Sequence, residues 1–168
     1  MNTNQRGFSL IELLIVVAII LIIAAIAIPN LLRAKISANE ASAVGSMRTL
    51  NTAAVNYYTS WGVQYPASMA VMGGPTNVAA TCALAELVDP ILAGATAPPG
   101  KSGYIFTYTG TTATPAVGGC TGFLIYTIST VPANIGQTGQ RGFFTDQSGV
   151  IRFTTDGTAP ALASPSLQ

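Results

Sequence analysis

Histidine is absent from this sequence, and charged residues make up only 8% of it. The chain therefore lacks the side chain most often used as a general base and as a metal ligand, which disfavours an enzyme. Ordinary soluble proteins carry about 25% charged residues, and the seven basic and six acidic residues here nearly cancel. A surface this neutral has no net field to attract nucleic acid. It is typical of a protein that packs against copies of itself or is exposed outside the cell.

Cysteine is also scarce, occurring only as Cys82 and Cys120. A pair downstream of an apolar segment indicates a disulfide made in an oxidising compartment, and two buried free thiols are the alternative. Closing the loop between them would stabilise the fold by roughly 4 kcal/mol. No phosphate-binding loop, zinc-ligand spacing or nucleophile motif occurs in the sequence. We therefore predict no catalytic residue, no resident metal and no cofactor.

What the sequence does contain is one long apolar run, residues 8–28, interrupted only by Ser9 and Glu12. As a helix it would cover roughly 30 Å, the thickness of a bilayer's hydrocarbon core. A helix is the expected form because it satisfies its own backbone hydrogen bonds in lipid. The run is longer than the apolar part of a secretory signal peptide and no small-residue cleavage site ends it, so we expect the mature protein to keep it.

The stretch RGFSLIE, residues 6–12, resembles the leader junction of type IV pilins and of the related pseudopilins of type II secretion. The resemblance implies that residues 1–7 are a prepilin leader, cut after Gly7 by a prepilin peptidase on the cytoplasmic side. It implies that the new N-terminal residue, Phe8, is then methylated. It also implies that Glu12 assists assembly and that Pro29 occupies the position of a helix-breaking proline.

Physical reasoning supports the role of Glu12. Phe8 lies one helical turn before it, about 6 Å along the axis and on the same face. An amine freed at Phe8 would neutralise the Glu12 carboxylate, in the same chain or in a neighbour, and the second contact would fix the axial offset between subunits. In the alternative, Glu12 lies near the bilayer edge and reaches water.

The remaining chain predicts an α+β fold in which a long N-terminal helix packs on a small antiparallel sheet. Pro29 removes one helical hydrogen bond, which predicts a kink or local melting there. The predicted segments are a leader (1–7), a transmembrane or filament-core helix (8–29), an amphipathic helix (30–61), a connecting region with a short helix at 82–93 (62–102), an antiparallel sheet (103–154) and an irregular or mobile tail (155–168).

The amphipathic helix carries one predicted buried stripe, consisting of Ile36, Val44, Met47, Leu50, Ala54, Tyr58 and Trp61. The predicted polar face consists of Lys35, Asn39, Ser42, Ser46 and Thr49. We predict that the aromatic residues at its end are core residues; these are Tyr57, Tyr58 and Trp61. The alternative is a stacking platform for electron transfer or for single-stranded nucleic acid. Glu86 and Asp89 are expected to be solvated at a helix end.

The resemblance, supported by these features, implies a structural subunit of a type IV pilus with roles in adhesion, twitching motility or DNA uptake. The alternatives are a type II secretion pseudopilin and a membrane-anchored binding domain that never polymerises. The resemblance implies a precursor in the bacterial inner membrane with its head domain in the periplasm, and a homo-oligomeric helical filament as the assembled form. Expected partners are the prepilin peptidase, which is also the N-methyltransferase, and a pilus or secretion assembly platform. No nucleic-acid partner is predicted. Because some major pseudopilins bind calcium in the C-terminal region, the resemblance offers calcium at Asp146 and Asp156 as an alternative to the absence of a metal, although these residues lack the dense oxygen-ligand spacing of a calcium loop.

Overall fold

The computed structural model of the chain describes residues 8–62, 64–74, 79–116 and 118–167. The leader, including Gly7, therefore lies outside the described residues. The elements are α1 (Leu10–Trp61), β1 (Tyr65–Pro66), α2 (Met69–Met72), α3 (Pro90–Ala93), β2 (Tyr104–Ala113), β3 (Gly122–Pro132), β4 (Gly142–Asp146) and β5 (Arg152–Thr154). A boundary between two structural units falls between Lys35 and Ile36. We call residues 8–35 the helical unit and residues 36–167 the head unit.

The predicted fold class is confirmed, because the head unit packs the second half of α1 on an antiparallel sheet. The sheet order is β1-β3-β4-β5, and β2 pairs with β3 along the opposite edge. The strand β3 is therefore central, with Tyr104 opposite Pro132 at one end of the β2–β3 ladder and Ala113 opposite Phe123 at the other. Alternation places the apolar residues of these strands toward α1. The fully buried side chains of the head unit include Met47, Leu50, Tyr57, Tyr104, Phe106, Tyr126, Ile128 and Phe143.

The predicted helix at 82–93 is wrong over most of its length. Helix α3 covers only Pro90–Ala93, and Thr81 and Leu84 instead form an isolated antiparallel bridge. Pro90 begins the helix rather than ending it. Proline suits the first helical position, where its missing N–H has no intrahelical partner. Asp89 is the N-cap, and its Oδ1 accepts a hydrogen bond from the Leu92 amide at 2.9 Å.

Capping by Asp89 carries a prediction for stability. Asp89→Ala should lower the free energy of unfolding by about 1 kcal/mol at neutral pH, whereas Asp89→Asn should retain most of it. Burial by itself raises the pKa of Asp89, but hydrogen bonds from Lys101 and the Leu92 amide outweigh it and the pKa lies below its ordinary value. The stabilisation is therefore present at neutral pH and is lost as the pH falls below about 4, through the folded-state pKa.

Denaturant unfolding at pH 7 and again at pH 3 measures this effect. The difference between wild type and Asp89→Ala should shrink in acid. The ion pair of Asp89 with Lys101, at 2.9 Å, is half-exposed and should add little. An alanine variant as stable as wild type at pH 7 would show that the cap is replaced by water.

The predicted disulfide joins Cys82 to Cys120, with the two Cα atoms 5.7 Å apart. It ties the region after α2 to the loop between β2 and β3. Gln64 reinforces the same junction, because its fully buried side chain donates from Nε2 to the Cys120 carbonyl at 2.7 Å. Its Oε1 accepts a hydrogen bond from the Thr114 hydroxyl. The Tyr57 hydroxyl donates to the Cys82 carbonyl at 2.7 Å, so both cysteines are held next to α1 and β1.

The tail after β5 is irregular, and its last residues are held against the sheet. The Leu167 amide donates to the Ile151 carbonyl at 2.7 Å, and the Phe153 amide donates to the Pro165 carbonyl at 3.0 Å. Arg152 adds a side-chain hydrogen bond to the Ser164 carbonyl. The partly buried Leu167 side chain packs on the core. The tail thus covers the outer edge of β5.

Candidate functional site

The helical unit presents an apolar surface with no cover of its own. Every residue from Phe8 to Lys35 is exposed except Ala24, which is half-buried. Phe8 is 87% exposed, and the apolar stretch of α1 is long and apolar enough to cross a membrane. Exposure of this much isoleucine, leucine and valine indicates a surface that is covered by lipid or by other protein chains. The predicted use of residues 8–29 as a membrane or filament-core helix is consistent with this exposure.

At the start of α1, Glu12 has a contact that the sequence prediction missed. Its Oε2 accepts a hydrogen bond from the Ser9 backbone amide at 2.9 Å. The Ser9 carbonyl accepts the first helical hydrogen bond, from Leu13 at 3.3 Å. Ser9 is therefore the N-cap and Glu12 the third helical residue, which is the glutamate half of a capping box. The S-x-x-E pattern at residues 9–12 was available in the sequence as the signal for it.

The capping contact changes how Glu12 is understood. A carboxylate at this position satisfies one of the helix's unpaired N–H groups and lies at the positive end of the helix dipole. Glu12 therefore has a local stabilising role whether or not it also meets an amine. With Oε2 directed at Ser9, a second donor can still approach Oε1. The two roles are compatible, and they need separate tests.

At Pro29, α1 continues without a break in its helical assignment. Local melting, one of the two predicted outcomes, is therefore not observed, and the kink stays a prediction. The Asn30 side chain donates from Nδ2 to the Ile26 carbonyl at 3.1 Å, one turn back. The carbonyl that Pro29 leaves without a helical donor is that of Ala25, so the Asn30 contact does not replace the missing hydrogen bond.

In the head unit the buried face of α1 differs in part from the predicted stripe. Val44, Met47, Leu50 and Ala54 are buried as predicted. Tyr57 is buried in place of Tyr58, which is 37% exposed. Trp61 is only half-buried, and its ring lies 5.2 Å from that of Tyr57. Of the predicted polar face, Ser46 is buried, and Asn39 is half-buried and donates to the Thr138 carbonyl at 2.8 Å.

The aromatic residues near the end of α1 join a cluster in the head unit. The Tyr58 ring lies 5.1 Å from Tyr65, and Tyr65 lies 4.7 Å edge-on from Tyr126. Tyr126 stacks on Tyr108 at 5.6 Å. Burial raises the pKa of the Tyr108 and Tyr126 hydroxyls above the ordinary value. The cluster is thus a packed, neutral part of the core, which supports the core interpretation over a platform for nucleic acid.

The strongest polar contact of the head unit involves a residue that sequence reasoning did not single out, Glu40. This carboxylate is 6% exposed on the buried face of α1. Its Oε1 accepts from the backbone amides of Gln140 and Arg141 at 2.9 and 3.1 Å. Its Oε2 accepts from Arg141 Nε at 2.8 Å. The Arg141 guanidinium also lies 5.5 Å from the Phe143 ring centroid. Glu40 therefore fastens α1 to the segment that leads into β4.

Four carboxylates of the head unit, those of Glu86, Asp89, Asp146 and Asp156, lie in separate places. Asp146 accepts hydrogen bonds from the Ser148 amide and hydroxyl in the turn after β4. Asp156 does the same with Thr158, and the Thr158 hydroxyl holds the pKa of Asp156 below its ordinary value. Asp89 caps α3. Glu86 is half-buried rather than fully solvated, and its backbone has a left-handed φ of 52°. Each aspartate thus serves its own turn or helix end.

Comparison with known proteins adds evidence for the N-terminal segment. A family profile described as the prokaryotic N-terminal methylation motif matches residues 2–28. The type IV major pilin protein PilA of Myxococcus xanthus is 45% identical over 58 residues, which cover 34% of this chain and 26% of that protein. The type IV wide pilus major component PilA4 of Thermus thermophilus is 65% identical over 37 residues, 22% of this chain and 28% of that protein. The chain is thus similar to type IV pilins in a short segment, and the methylation motif lies at its N-terminus.

The likeness to these two relatives is confined to a short part of the molecule. The chain matches only about a quarter of the length of each relative. No solved structure matches the chain. The relatives are named as pilus components and not as enzymes. The methylation-motif profile covers the apolar stretch of the exposed helix, residues 8–28.

Proposed function

We propose that the chain is a structural subunit of a type IV pilus, made as an inner-membrane precursor and polymerised through residues 8–29. In this proposal a prepilin peptidase cuts after Gly7 and the new N-terminal Phe8 is methylated. The observation that carries the proposal is the fully exposed apolar helix that begins at a methylation motif. The names of the relatives, both major components of type IV pili, favour a pilus over a secretion pseudopilus.

The physical basis of assembly is a transfer of one helix between two similar environments. In the membrane, lipid tails cover the isoleucine, leucine and valine side chains of the helical unit. In a filament, the same side chains of neighbouring subunits would cover them. Because lipid tails are about as apolar as leucine, the transfer yields little hydrophobic free energy. Assembly therefore requires an external machine, and polar contacts such as that of Glu12 select the register.

Intact-mass analysis of the chain from membranes of the native host tests the processing step. The mature protein should begin at Phe8, carry one added methyl group on its amine and retain the disulfide. Replacing the residue before the cut, as in Gly7→Leu, should keep the full-length mass while leaving the head unit folded. A wild-type chain that begins at Met1, or one cut after Ala27, would exclude prepilin processing. The alternative of a non-polymerising membrane anchor would then be favoured.

A further inference from the structure

Strand β2 has an open edge. It pairs with β3 on one side along its whole length. On its other side, the Phe106 amide donates to the Ala95 carbonyl at 2.8 Å. Beyond Phe106, no residue in the described part of the chain pairs with this side of β2. Backbone amides and carbonyls on such an edge are a template for another strand.

The alternation of β2 determines which of its backbone N–H and C=O groups face away from β3. In an antiparallel pair, every second residue directs its N–H and C=O away from the partner strand. Because the Phe106 amide faces away from β3, those of Tyr108 and Gly110 do so as well. At Thr112 the backbone has a left-handed φ of 61°, which ends the regular alternation. We call residues 107–111 the β2 open edge.

The side chains of this edge do not hinder pairing with another strand. Natural edge strands are usually blunted by lysine, other charges or proline, whereas no charged residue occurs anywhere from Ser102 to Gln140. The open edge itself reads Thr-Tyr-Thr-Gly-Thr and contains no proline. Thr107, Thr109 and Thr111 are exposed, and threonine is a good strand former. The edge is therefore neutral, regular and free to pair.

We propose that the β2 open edge pairs antiparallel with the same edge of a second copy of this chain. A neutral edge meets its own copy without like-charge repulsion, and its donors and acceptors complement themselves. A two-fold axis at Thr109 places Tyr108 opposite Gly110 of the second copy and Gly110 opposite its Tyr108, which gives four hydrogen bonds. An axis at Tyr108 would require the Phe106 amide, which Ala95 already occupies. An axis at Gly110 would require the left-handed Thr112.

This contact has a different symmetry from filament assembly. A two-fold contact uses the same patch on both chains and closes on itself, whereas a helical filament grows through head-to-tail contacts. The β2 pairing therefore joins chains that are not successive subunits of one filament, such as chains of two adjacent filaments or unassembled chains. It does not depend on the proposed filament function, because it uses only the head unit.

A single cysteine tests the pairing in the full-length chain purified in detergent. Both native cysteines are in the disulfide, so Thr109→Cys adds the one free thiol. In the proposed pairing the two Thr109 Cα atoms lie about 4.5 Å apart, within the range of a disulfide. Mild oxidation should give a reducible dimer on a non-reducing gel, and the yield should be the same in a Glu12→Ala background. Thr109→Lys should abolish association of the head units without changing their unfolding.

Thr127→Cys is the matched control. Thr127 is the direct cross-strand neighbour of Thr109 on β3, on the same face of the sheet but one strand inward from the edge. It should form several-fold less dimer than Thr109→Cys. Mixing Thr107→Cys with Thr111→Cys should give more dimer than either alone, because the antiparallel register places these positions opposite each other. Equal dimer yields at Thr109 and Thr127, no dimer at Thr109, or cross-linking to a different protein would overturn the proposal.

Discussion

Replacing Glu40 by alanine should lower the free energy of unfolding of the head unit by about 3 kcal/mol. The loss has two sources. Two backbone amides, those of Gln140 and Arg141, lose their shared acceptor oxygen, and an unsatisfied buried amide costs about 1–3 kcal/mol. Arg141 loses its carboxylate partner as well, but its side chain is 39% exposed. Water therefore solvates the freed guanidinium. The total loss in the free energy of unfolding should lie at the low end of the range for removing one partner of a buried ion pair.

The conservative variants separate these two sources. Glu40→Gln keeps an amide oxygen for the two backbone N–H groups but removes the charge, so it should cost roughly 1–2 kcal/mol. Arg141→Lys keeps a positive charge and the backbone contacts but loses the Nε donor and the flat guanidinium near Phe143. It should resemble Glu40→Gln because lysine does not reproduce the geometry of arginine. The order of stability should be wild type, then the two conservative variants, then Glu40→Ala.

Denaturant unfolding followed by tryptophan fluorescence measures the series. Trp61 is the single tryptophan and lies against Tyr57 in the head unit, so it reports on that unit alone. A Glu40→Ala variant within 1 kcal/mol of wild type would contradict the argument. That result would mean that water replaces the carboxylate at the Gln140 and Arg141 amides.

Glu40 also illustrates what a sequence leaves undetermined. The helix and the strands could be predicted because apolar residues such as Met47, Leu50 and Ile128 recur with helical or strand periodicity. A carboxylate on the buried face breaks that pattern, and its partner Arg141 lies 101 residues further along the chain. No local rule connects the two. The same holds for Gln64, whose hydrogen bonds to Cys120 and Thr114 exist only after the disulfide region is folded.

Two further differences between the predicted and the observed elements have local causes, at Pro90 and at the end of α1. Pro90 lies inside the predicted helix at 82–93, although proline directly after an aspartate is typical of a helix start. At the end of α1, the choice between Tyr57 and Tyr58 depends on the irregular connection after the helix, which supplies the Cys82 carbonyl to the Tyr57 hydroxyl. A connection without periodicity gives no sequence pattern from which that contact could be predicted. The capping box at residues 9–12, in contrast, is readable in the sequence.

Glu12, which caps the start of α1, should also have a large effect on filament assembly. Glu12→Ala should reduce the yield of filaments at least tenfold while leaving the amount of protein in the membrane unchanged. If the proposed cleavage frees an amine at Phe8, Glu12 is the carboxylate within reach of it. Loss of a charge-assisted contact worth about 1.5–3 kcal/mol corresponds to a factor of roughly ten to a hundred. Filament mass in the sheared fraction and precursor level in membranes provide the two readouts.

Alanine alone does not separate the two roles of Glu12, because it removes both the hydrogen bond to Ser9 and the charge. Glu12→Gln is the decisive variant, since the glutamine oxygen can still accept from the Ser9 amide as in a capping box. If the charge selects the register between subunits, Gln should fail as completely as Ala. If capping of α1 is the whole role, Gln should assemble like wild type and the amine contact must be abandoned.

Glu12→Asp completes the series, because it keeps the charge but shortens the side chain. A contact with a neighbour's amine tolerates a shorter carboxylate only if the subunits move closer, so Asp should give an intermediate filament yield. The capping hydrogen bond needs a side chain as long as glutamate to extend from the third helical position back to the Ser9 amide. Aspartate is shorter, so Glu12→Asp should lose this hydrogen bond. An Asp variant that assembles better than Gln would therefore assign the function of this residue to its charge. We expect filament yield to fall in the order wild type, Glu12→Asp, Glu12→Gln, because the charge of this residue in the membrane helix then serves to bind an amine in the filament.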